Sequence, residues 1–259
     1  MVIESPHNET LKTIRRLKRC KGDQALLEGP HLVVEALASG IRLESVLMTP
    51  EMRRSPVGRP IESHLPFPPL EVRPSLLDKM ADADSPRGLL AVAELPRGSV
   101  EVLPLDRSGA FLYLDRIQDP GNLGALARVA EAAGASGLAL SPETVHPNHP
   151  RALRASAGSL LRLPVARNVE VAQLRERLAP LEPRWFALAT RGGTDLYRAP
   201  AASTGVLLLG SEGQGLSPEV QAACDIALTI PLESPVESLN VTVAAALTLF
   251  EWRRRRLHS

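Results

Sequence analysis

The sequence predicts an α/β protein in which a parallel sheet is covered by helices. Short apolar segments of strand length alternate with helical segments along most of the 259 residues, as is typical of βαβ units. Residues 205–209 are apolar throughout, which is expected of a strand buried on both faces of a sheet. Residues 95–109 hold two prolines and two glycines without a helical period, and this break predicts two domains joined by a linker.

The first domain, residues 1–95, is predicted to be a small α/β domain. Its apolar helix over residues 31–39 should end at Gly40, because glycine is favoured just beyond a helix C-terminus. Predicted helices cover residues 11–20, 31–39 and 75–80, and predicted strands cover residues 25–27, 43–48 and 89–94.

The second domain, residues 110–259, follows the linker at residues 96–109 and shows a clearer alternation. One of its helices has Ser217 at the N-cap and Pro218 at the first helical position, and both residue types are preferred there. Predicted strands cover residues 111–114, 137–140, 185–189, 205–209 and 226–230, and predicted helices cover residues 122–133, 171–178, 217–223 and 239–254.

The composition excludes several classes of protein. With 44% hydrophobic residues and 30 basic against 29 acidic residues, the chain is too apolar and too nearly neutral to be disordered. It lacks an apolar run of roughly 18 residues, the length that a membrane helix needs. The two cysteines, Cys20 and Cys224, cannot form a disulfide framework, so we expect a reducing, cytoplasmic location.

Three polar loops follow predicted strands of the second domain. Ligands of parallel α/β sheets bind at the carboxyl ends of the strands, where these loops lie. The first loop begins at Leu114 and contains a Pro-Gly pair, after which Asn122 stands where a helix N-cap belongs. Gly124 and Arg128 are four residues apart and therefore share a helix face. An ordinary capped helix with a solvent-facing arginine also fits this loop.

The other two loops combine glycine or proline with polar side chains. Residues 209–216 hold three glycines around Glu212 but lack the Lys-Ser/Thr pair of a phosphate-binding P-loop. The carboxylate disfavours a phosphate and suits a neutral or cationic ligand. In residues 230–241, Ser238 can cap the final helix, while Asn240 is a poor helix former without an evident structural need.

The three loops together match one family in order and spacing. The chain resembles the SpoU (TrmH-like) RNA ribose 2′-O-methyltransferases of the SPOUT class over roughly residues 110–255. Residues 10–95 resemble the substrate-binding extension of that family, an α/β domain similar to kink-turn-binding ribosomal proteins. The matching motifs are Asn122-x-Gly124-x-x-x-Arg128, Gly210-Ser211-Glu212-Gly213-x-Gly215-Leu216, and Ile230-Pro231 leading to Ser238-Leu239-Asn240-Val241-x-Val243-Ala244.

The resemblance implies a trefoil-knotted, parallel-sheet methyltransferase domain that forms a homodimer and holds S-adenosylmethionine in the knot. It implies a structured RNA substrate and no membrane partner. The implied catalytic residues are Asn122, Arg128, Glu212, Ser238 and Asn240. The implied cofactor-binding residues are Leu209, Gly210, Gly213, Ile230, Leu232 and Leu239. The sequence departs from the family pattern at Ser234, where the family commonly has glycine.

Two roles for Arg128 stay open at this point. A guanidinium remains protonated in proteins, so it is a poor general base. An RNA phosphate could orient Arg128 and accept the proton instead. Alternatively, Arg128 stabilises the developing alkoxide electrostatically, an effect typically worth about 3 kcal/mol, and we favour this role. Ser238 and Asn240 would then position the ribose or the methyl donor.

The basic residues that we expect to contact RNA are concentrated in short segments. Four of them recur at helical spacing near the N-terminus and predict a basic stripe that follows phosphates, whose binding weakens with salt. Since only 3% of residues are aromatic, phosphate, shape and 2′-hydroxyl contacts are expected to dominate. The Arg253–Arg256 run is instead expected to complement a helix dipole. The predicted RNA-binding residues are Lys12, Arg15, Arg16, Lys18, Arg19, Arg151 and Arg154.

Two alternative functions also stay open. A protein can keep this fold and bind structured RNA without catalysis, although such a binder does not need Asn122, Arg128, Glu212 and Asn240 together. The substrate can also be tRNA, although the separate N-terminal domain favours ribosomal RNA. No metal site is predicted, because the loop that starts at His146 holds two histidines and two prolines without a cysteine.

Overall fold

The computed structural model describes residues 2–3, 9–17, 22–82, 87–105, 109–200 and 204–258. The chain forms two compact units. The N-terminal unit comprises Met1–Pro96 and His146–Arg162, and the C-terminal unit comprises Arg97–Val145 and Leu163–Ser259. No helix within the described residues is both long enough and apolar enough to cross a membrane.

The N-terminal unit contains a five-stranded mixed sheet. Its strands are β1 (Val2–Ile3), β2 (Gln24–Glu28), β3 (Leu43–Met48), β4 (Leu70–Val72) and β5 (Leu89–Glu94), in the order β1-β4-β3-β5-β2. β5 is antiparallel to both β3 and β2, and the other pairs are parallel. The first five helices are α1 (Glu9–Leu17), α2 (Pro30–Ala38), α3 (Pro50–Arg54), α4 (Gly58–Ser63) and α5 (Pro74–Met80).

Helix α1 packs into the core of the N-terminal unit through one apolar face. Arg16 is exposed on another face. Burial of an aliphatic side chain contributes about 2 kcal/mol, so packing holds this short basic helix in place. The buried side chains of α1 are Leu11, Ile14 and Leu17.

The C-terminal unit contains a seven-stranded sheet in which every described pair is parallel. Its strands are β6 (Ala110–Asp115), β7 (Gly137–Leu140), β8 (Val165–Ala166), β9 (Arg184–Leu188), β10 (Thr194–Asp195), β11 (Gly205–Gly210) and β12 (Ile226–Thr229), in the order β10-β12-β9-β11-β6-β7-β8. The remaining helices are α6 (Pro120–Ala132), α7 (Pro150–Ala155), α8 (Ser159–Arg162), α9 (Val171–Leu178), α10 (Pro218–Ala222) and α11 (Val241–Leu257).

The predicted parallel α/β fold is confirmed in the C-terminal unit. β11 lies between β9 and β6, with Leu209 opposite Leu114 and Gly210 opposite Asp115. The side chains of residues 206–209 are buried, as expected of an apolar strand inside a covered sheet. The carboxyl ends of β6 and β11 therefore lie side by side and bring their loops together.

Two helix starts differ from the sequence predictions. α6 begins at Pro120, and its N-cap is Asp119, whose Oδ1 accepts a hydrogen bond from Asn122 N at 2.8 Å. α11 is capped by Asn240, not Ser238, and Asn240 Oδ1 accepts from Thr242 N at 2.9 Å. An Asp-Pro pair is itself a strong start signal, because aspartate caps well and proline fits the first position.

The unit boundaries also differ from the predicted domains. Residues 97–105 belong to the C-terminal unit and are not a free linker: Leu103 is fully buried in a core cluster that also contains Phe111. Residues 146–162, predicted to lie in the second domain, belong to the N-terminal unit. Asn148 Nδ2 donates to Leu95 O at 3.0 Å, and two arginines of the segment pair with carboxylates of that unit.

The basic end of α11 is held by carboxylate and carbonyl groups. Arg254 and Arg255 both bond to Glu251, and Arg256 Nη2 donates to Ala133 O at the end of α6, at 3.3 Å. Cations near carbonyl groups at a helix C-terminus are favourable. These contacts fit the predicted role of the terminal arginine run.

Replacing Glu251 by glutamine is expected to destabilise the protein in a pH-dependent way. Hydrogen bonds from Arg254 and Arg255 hold the pKa of Glu251 at about 2, below its ordinary 4.5. A carboxyl with a depressed pKa stabilises the fold above its unfolded pKa and loses that contribution as the pH falls. We expect a loss of about 1 kcal/mol in the free energy of unfolding at pH 7. The loss should shrink between pH 4.5 and about pH 2.

Urea unfolding at a series of pH values measures this effect. Glu176→Gln is the matched control, because Glu176 is an exposed carboxylate on α9. A penalty for Glu251→Gln that is the same at pH 3 and pH 7 contradicts the prediction.

Candidate functional site

A cavity of about 510 Å³ lies at the carboxyl edge of the C-terminal sheet, and we call it the β11 cavity. Three segments enclose it: the end of β9, the end of β11 with its loop, and the segment from β12 into α11. Five of the six predicted cofactor-binding residues line it, and Gly213 does not. The lining comprises Leu188, Ala189, Thr190, Leu208, Leu209, Gly210, Ser211, Glu212, Gly215, Leu216, Ile230, Leu232, Ser238, Leu239, Asn240, Val241 and Ala244.

The loop after β11, residues 211–216, is a tight turn that we call the glycine turn. Gly215 N donates to Ser211 O at 2.9 Å and closes it. A Cβ atom at Gly210 would lie 2.2 Å from the carbonyl carbon of Gly215, so only glycine fits there. Gly215 has a φ of +66°, which glycine adopts without steric cost. The geometry of this turn therefore requires glycine at Gly210 and favours it at Gly215.

Three polar side chains from separate elements meet at the mouth of the β11 cavity. Glu212 Oε1 accepts hydrogen bonds from Asn122 Nδ2 at 3.0 Å and from Asn240 Nδ2 at 2.8 Å. The two asparagines are also within hydrogen-bond distance of each other, at 3.3 Å. Because Asn240 Oδ1 caps α11, its amide nitrogen is turned toward Glu212. We call this group the Asn-Glu-Asn cluster.

The structure places four of the five predicted catalytic residues at this mouth. Ser238 lines the β11 cavity beside Asn240. Arg128 is exposed and lines neither this cavity nor the one beside it. Six residues separate Arg128 from Asn122, which is about 9 Å along the helix and about 120° around it. Arg128 therefore lies on a different face of α6 from Asn122.

A second cavity of about 480 Å³ lies on the other side of Glu212, and we call it the α6 cavity. Ser211 and Glu212 line both cavities, so the carboxylate stands at their boundary. Two cavities that share one carboxylate can hold two ligands close together. The α6 cavity is lined by Arg116, Ile117, Gln118, Asp119, Asn122, Glu143, Ser211, Glu212, Gly213 and Gln214.

Several lining residues were missed by sequence reasoning. Ala189 and Thr190 follow β9 at the same edge of the sheet, and their position at the carboxyl end of the strand predicted over residues 185–189 was the available signal. Arg116 directly follows β6 and lines the α6 cavity, whereas the sequence pattern predicts only that it lies in a loop. Ser234 is exposed and does not line the β11 cavity.

The predicted RNA-binding residues are only partly described. Arg16 and Arg151 are exposed. Arg154 is half-buried and pairs with the buried Glu28 and with Asp82, the latter at 3.0 Å. Two carboxylates thus neutralise Arg154, which argues against a phosphate contact there. The side chains of Lys12 and Arg15, and the whole of Lys18 and Arg19, lie outside the described residues.

A parallel sheet with a cavity at its carboxyl edge defines an α/β protein that binds a small ligand at that edge. Two family models match the chain. The SpoU rRNA Methylase family model matches residues 109–250, and the MRM3-like substrate binding domain matches residues 8–91. The chain belongs to the SpoU rRNA methylase family.

Two curated relatives and a solved structure match this chain over nearly all of the sequence. An uncharacterized tRNA/rRNA methyltransferase of Synechocystis sp. is 33% identical over 98% of this chain and 94% of its own length. The 23S rRNA (guanosine(2553)-2′-O)-methyltransferase RlmP of Bacillus subtilis is 30% identical over 97% of this chain and 98% of its own. The AdoMet-bound rRNA methyltransferase of Sinorhizobium meliloti, a solved structure, is 27% identical with a TM-score of 0.84 over 98% of both chains.

Proposed function

We propose that this protein transfers the methyl group of S-adenosylmethionine to a ribose 2′-hydroxyl of structured RNA, with ribosomal RNA as the favoured substrate. The observation that carries the proposal is the Asn-Glu-Asn cluster, which stands between two adjacent cavities. Support comes from the names of the Bacillus and Sinorhizobium relatives, which are rRNA methyltransferases.

The β11 cavity fits S-adenosylmethionine in size and chemistry. Its volume of about 510 Å³ lies within the usual range of small-molecule sites. Leu209, Ile230 and Leu239 offer an apolar surface for an adenine ring. Glu212 places a carboxylate at the mouth, where it attracts the sulfonium cation of the donor. The bound donor would supply an electrophilic methyl carbon.

The α6 cavity is the proposed entry for the acceptor ribose. Asn122 and Glu212 line it, so a 2′-oxygen held there would lie beside the proposed donor site. In the transfer, a carbon–oxygen bond forms as the carbon–sulfur bond breaks, and the hydroxyl proton leaves to solvent or to an RNA phosphate. Asn122, Ser238 and Asn240 orient the reacting groups, and Arg128 stabilises the developing oxygen charge.

Arg128 lines neither cavity of its own chain, and we propose that a homodimer through the C-terminal unit brings it to this site. α11 exposes an apolar stripe at helical spacing, with Val243, Leu247 and Phe250 between 38% and 48% exposed. Tyr197 is also exposed and lines a groove of about 450 Å³ together with Leu247 and Phe250. Contiguous apolar surface of this kind marks an interface. A two-fold dimer buries the same patch twice and can bring Arg128 to the partner's cavity.

We also propose that the C-terminal unit is knotted. β12 follows β11 along the chain, yet it pairs with β9 on the far side of β11. The segment after β12 then returns across the sheet edge, so that Leu239 lines the β11 cavity beside Leu209. This crossed return supports the trefoil that the family resemblance implies.

Radiolabelled methyl transfer to total RNA tests the proposed function. The purified full-length protein is incubated with labelled S-adenosylmethionine and RNA from cells that lack it. Label in 23S or 16S rRNA, followed by mapping of the 2′-O-methylated nucleotide, is the expected result. Label in tRNA alone identifies the alternative substrate. Tight RNA binding without any label identifies a binding protein that keeps the fold, and overturns the proposal.

Neutralising the basic face of α1 is expected to weaken RNA binding alone. In the variant, Lys12, Arg15 and Arg16 are replaced by glutamine, which removes three positive charges from one helix. Because counterion release drives phosphate binding, the slope of log K against log salt should fall by about 2–3. The Kd for S-adenosylhomocysteine should not change.

Filter binding of RNA at several salt concentrations measures this slope. Arg59→Gln is the matched control, since Arg59 is an exposed arginine of α4 in the same unit. Equal RNA affinity and equal slope in the variant and the wild type contradict a phosphate-binding role for α1.

A further inference from the structure

A hydrogen bond from Gly215 N to Ser211 O closes the glycine turn, but the glycines at its tip pack against little else. Gly213 and Gly215 both face open space, because no heavy atom lies within 4 Å of the position that a Cβ would occupy at either residue. Glycine has more conformational freedom to lose than any other residue. Nevertheless this turn carries Glu212, and Gly215 and Leu216 form part of the β11 cavity wall. A contact from outside the turn would add to its restraint.

That contact comes from the two residues at the end of β6. Asp115 is buried, and its Oδ2 accepts a hydrogen bond from Ser217 N at 2.6 Å, just beyond the turn. Arg116 Nη1 donates to Gln214 Oε1 at 3.2 Å, and its Nη2 donates to Gly215 O at 3.4 Å. Arg116 Nε lies 3.4 Å from Asp115 Oδ1. Asp115 thus binds the backbone at Ser217, just after the turn, and Arg116 binds Gln214 and Gly215 within it.

The backbone of Arg116 is held in an unfavourable conformation. Its φ is +56°, in the left-handed region where a residue with a Cβ is strained. The amide of Arg116 donates to Ser141 Oγ at 2.9 Å, which holds the conformation in place. Such strain persists where the surroundings impose it and is concentrated at functional sites. Glycine would relieve this strain.

We infer that Arg116 is a positioning residue for methyl transfer, which clamps the glycine turn so that Glu212 meets both asparagines and the β11 cavity keeps its wall. The inference rests on the proposed function, because it assigns the turn to donor binding. Arg116 lines the α6 cavity and not the β11 cavity, so it acts on the donor through the turn.

The test compares three variants of the full-length protein. Arg116→Gly removes the clamp and suits the backbone, Arg116→Lys keeps the charge, and Gln214→Ala removes one partner of the guanidinium. Arg87→Gly is the matched control, because Arg87 is an exposed arginine with a φ of +51° in the N-terminal unit. The measurements are the Kd for S-adenosylhomocysteine, kcat, KM for RNA, the Tm and amide hydrogen exchange of residues 211–217.

Arg116→Gly should raise the Kd for S-adenosylhomocysteine about tenfold, as expected when a binding loop must be ordered by the ligand. Arg116→Lys should recover part of that loss, and the Tm of all variants should stay at the wild-type value. Gln214→Ala should have a smaller effect, and combining it with Arg116→Gly should add nothing. The control should bind as the wild type does.

Hydrogen exchange separates a failure of the clamp from a failure of the proposed function. One outcome is that residues 211–217 exchange faster in Arg116→Gly, while the wild type binds no S-adenosylhomocysteine. That outcome supports the clamp and overturns the donor site. Wild-type exchange and wild-type Kd in Arg116→Gly overturn the clamp and leave the donor site intact. A Tm that falls together with the affinity shows a general structural role and also overturns the inference.

Discussion

Arg128→Ala should lower the rate of methyl transfer by about 100-fold to 1,000-fold, as expected when a group that stabilises transition-state charge is removed. The Kd for S-adenosylhomocysteine should stay unchanged, because Arg128 lies outside the β11 cavity of its own chain. Calorimetry and single-turnover methylation measure the two quantities. If Arg128→Ala loses binding of S-adenosylhomocysteine and still transfers methyl groups at the wild-type rate, this role is contradicted.

Mixed dimers test whether Arg128 acts across the proposed interface. Chains with Arg128→Ala are combined with chains that carry Asn240→Ala, and each variant alone is expected to be inactive. In a random mixture, about a quarter of all sites should then be complete, because each two-fold interface pairs a cavity with the other chain's arginine. The absence of any recovered activity, with dimers verified by sedimentation, contradicts action in trans.

Phe250→Arg should give an inactive monomer.

Glu212→Gln should weaken binding of the cationic donor more than binding of its neutral product. The substitution keeps the shape of the side chain but removes a charge at the mouth of the β11 cavity. We expect the Kd for S-adenosylmethionine to rise about tenfold, which corresponds to about 1.4 kcal/mol. The Kd for S-adenosylhomocysteine, which has no sulfonium charge, should rise about twofold at most.

Isothermal titration of both ligands gives this difference directly. Glu237→Gln is the matched control, because Glu237 is an exposed carboxylate of the neighbouring loop that does not line the cavity. Equal losses for the two ligands show that Glu212 acts through the shape of the turn, not through its charge.

The sequence predicted five of the seven strands of the C-terminal sheet, because these five are apolar and separated by clear turn signals, but it missed the two-residue strands β8 and β10. The predicted strand at residues 205–209 is observed as Gly205–Gly210. Four of the five predicted catalytic residues meet at one cavity mouth, since parallel strands bring their carboxyl-end loops together. The motif spacing therefore contained most of the site.

Other features depend on tertiary contacts that no local pattern encodes. The caps at Asp119 and Asn240 replaced the predicted caps, because several residues near each helix start are of types that cap helices well. Arg154 was predicted to contact RNA, but its partners Glu28 and Asp82 are distant in sequence. The role inferred for Arg116 depends on a left-handed backbone conformation that its residue type does not suggest.

The short segment at residues 146–162 limits which chimaeras of this protein keep the contacts of the N-terminal unit. Because the segment packs with the N-terminal unit, the polypeptide passes from one unit to the other three times, after Pro96, Val145 and Arg162. A chimaera joined only at residue 96 would combine a foreign N-terminal unit with α7 and α8 of the original chain. Arg154 and Arg162 would then lose Glu28 and Glu35. An exchange of the N-terminal unit between relatives should therefore give a folded protein only when residues 146–162 are exchanged together with residues 1–96.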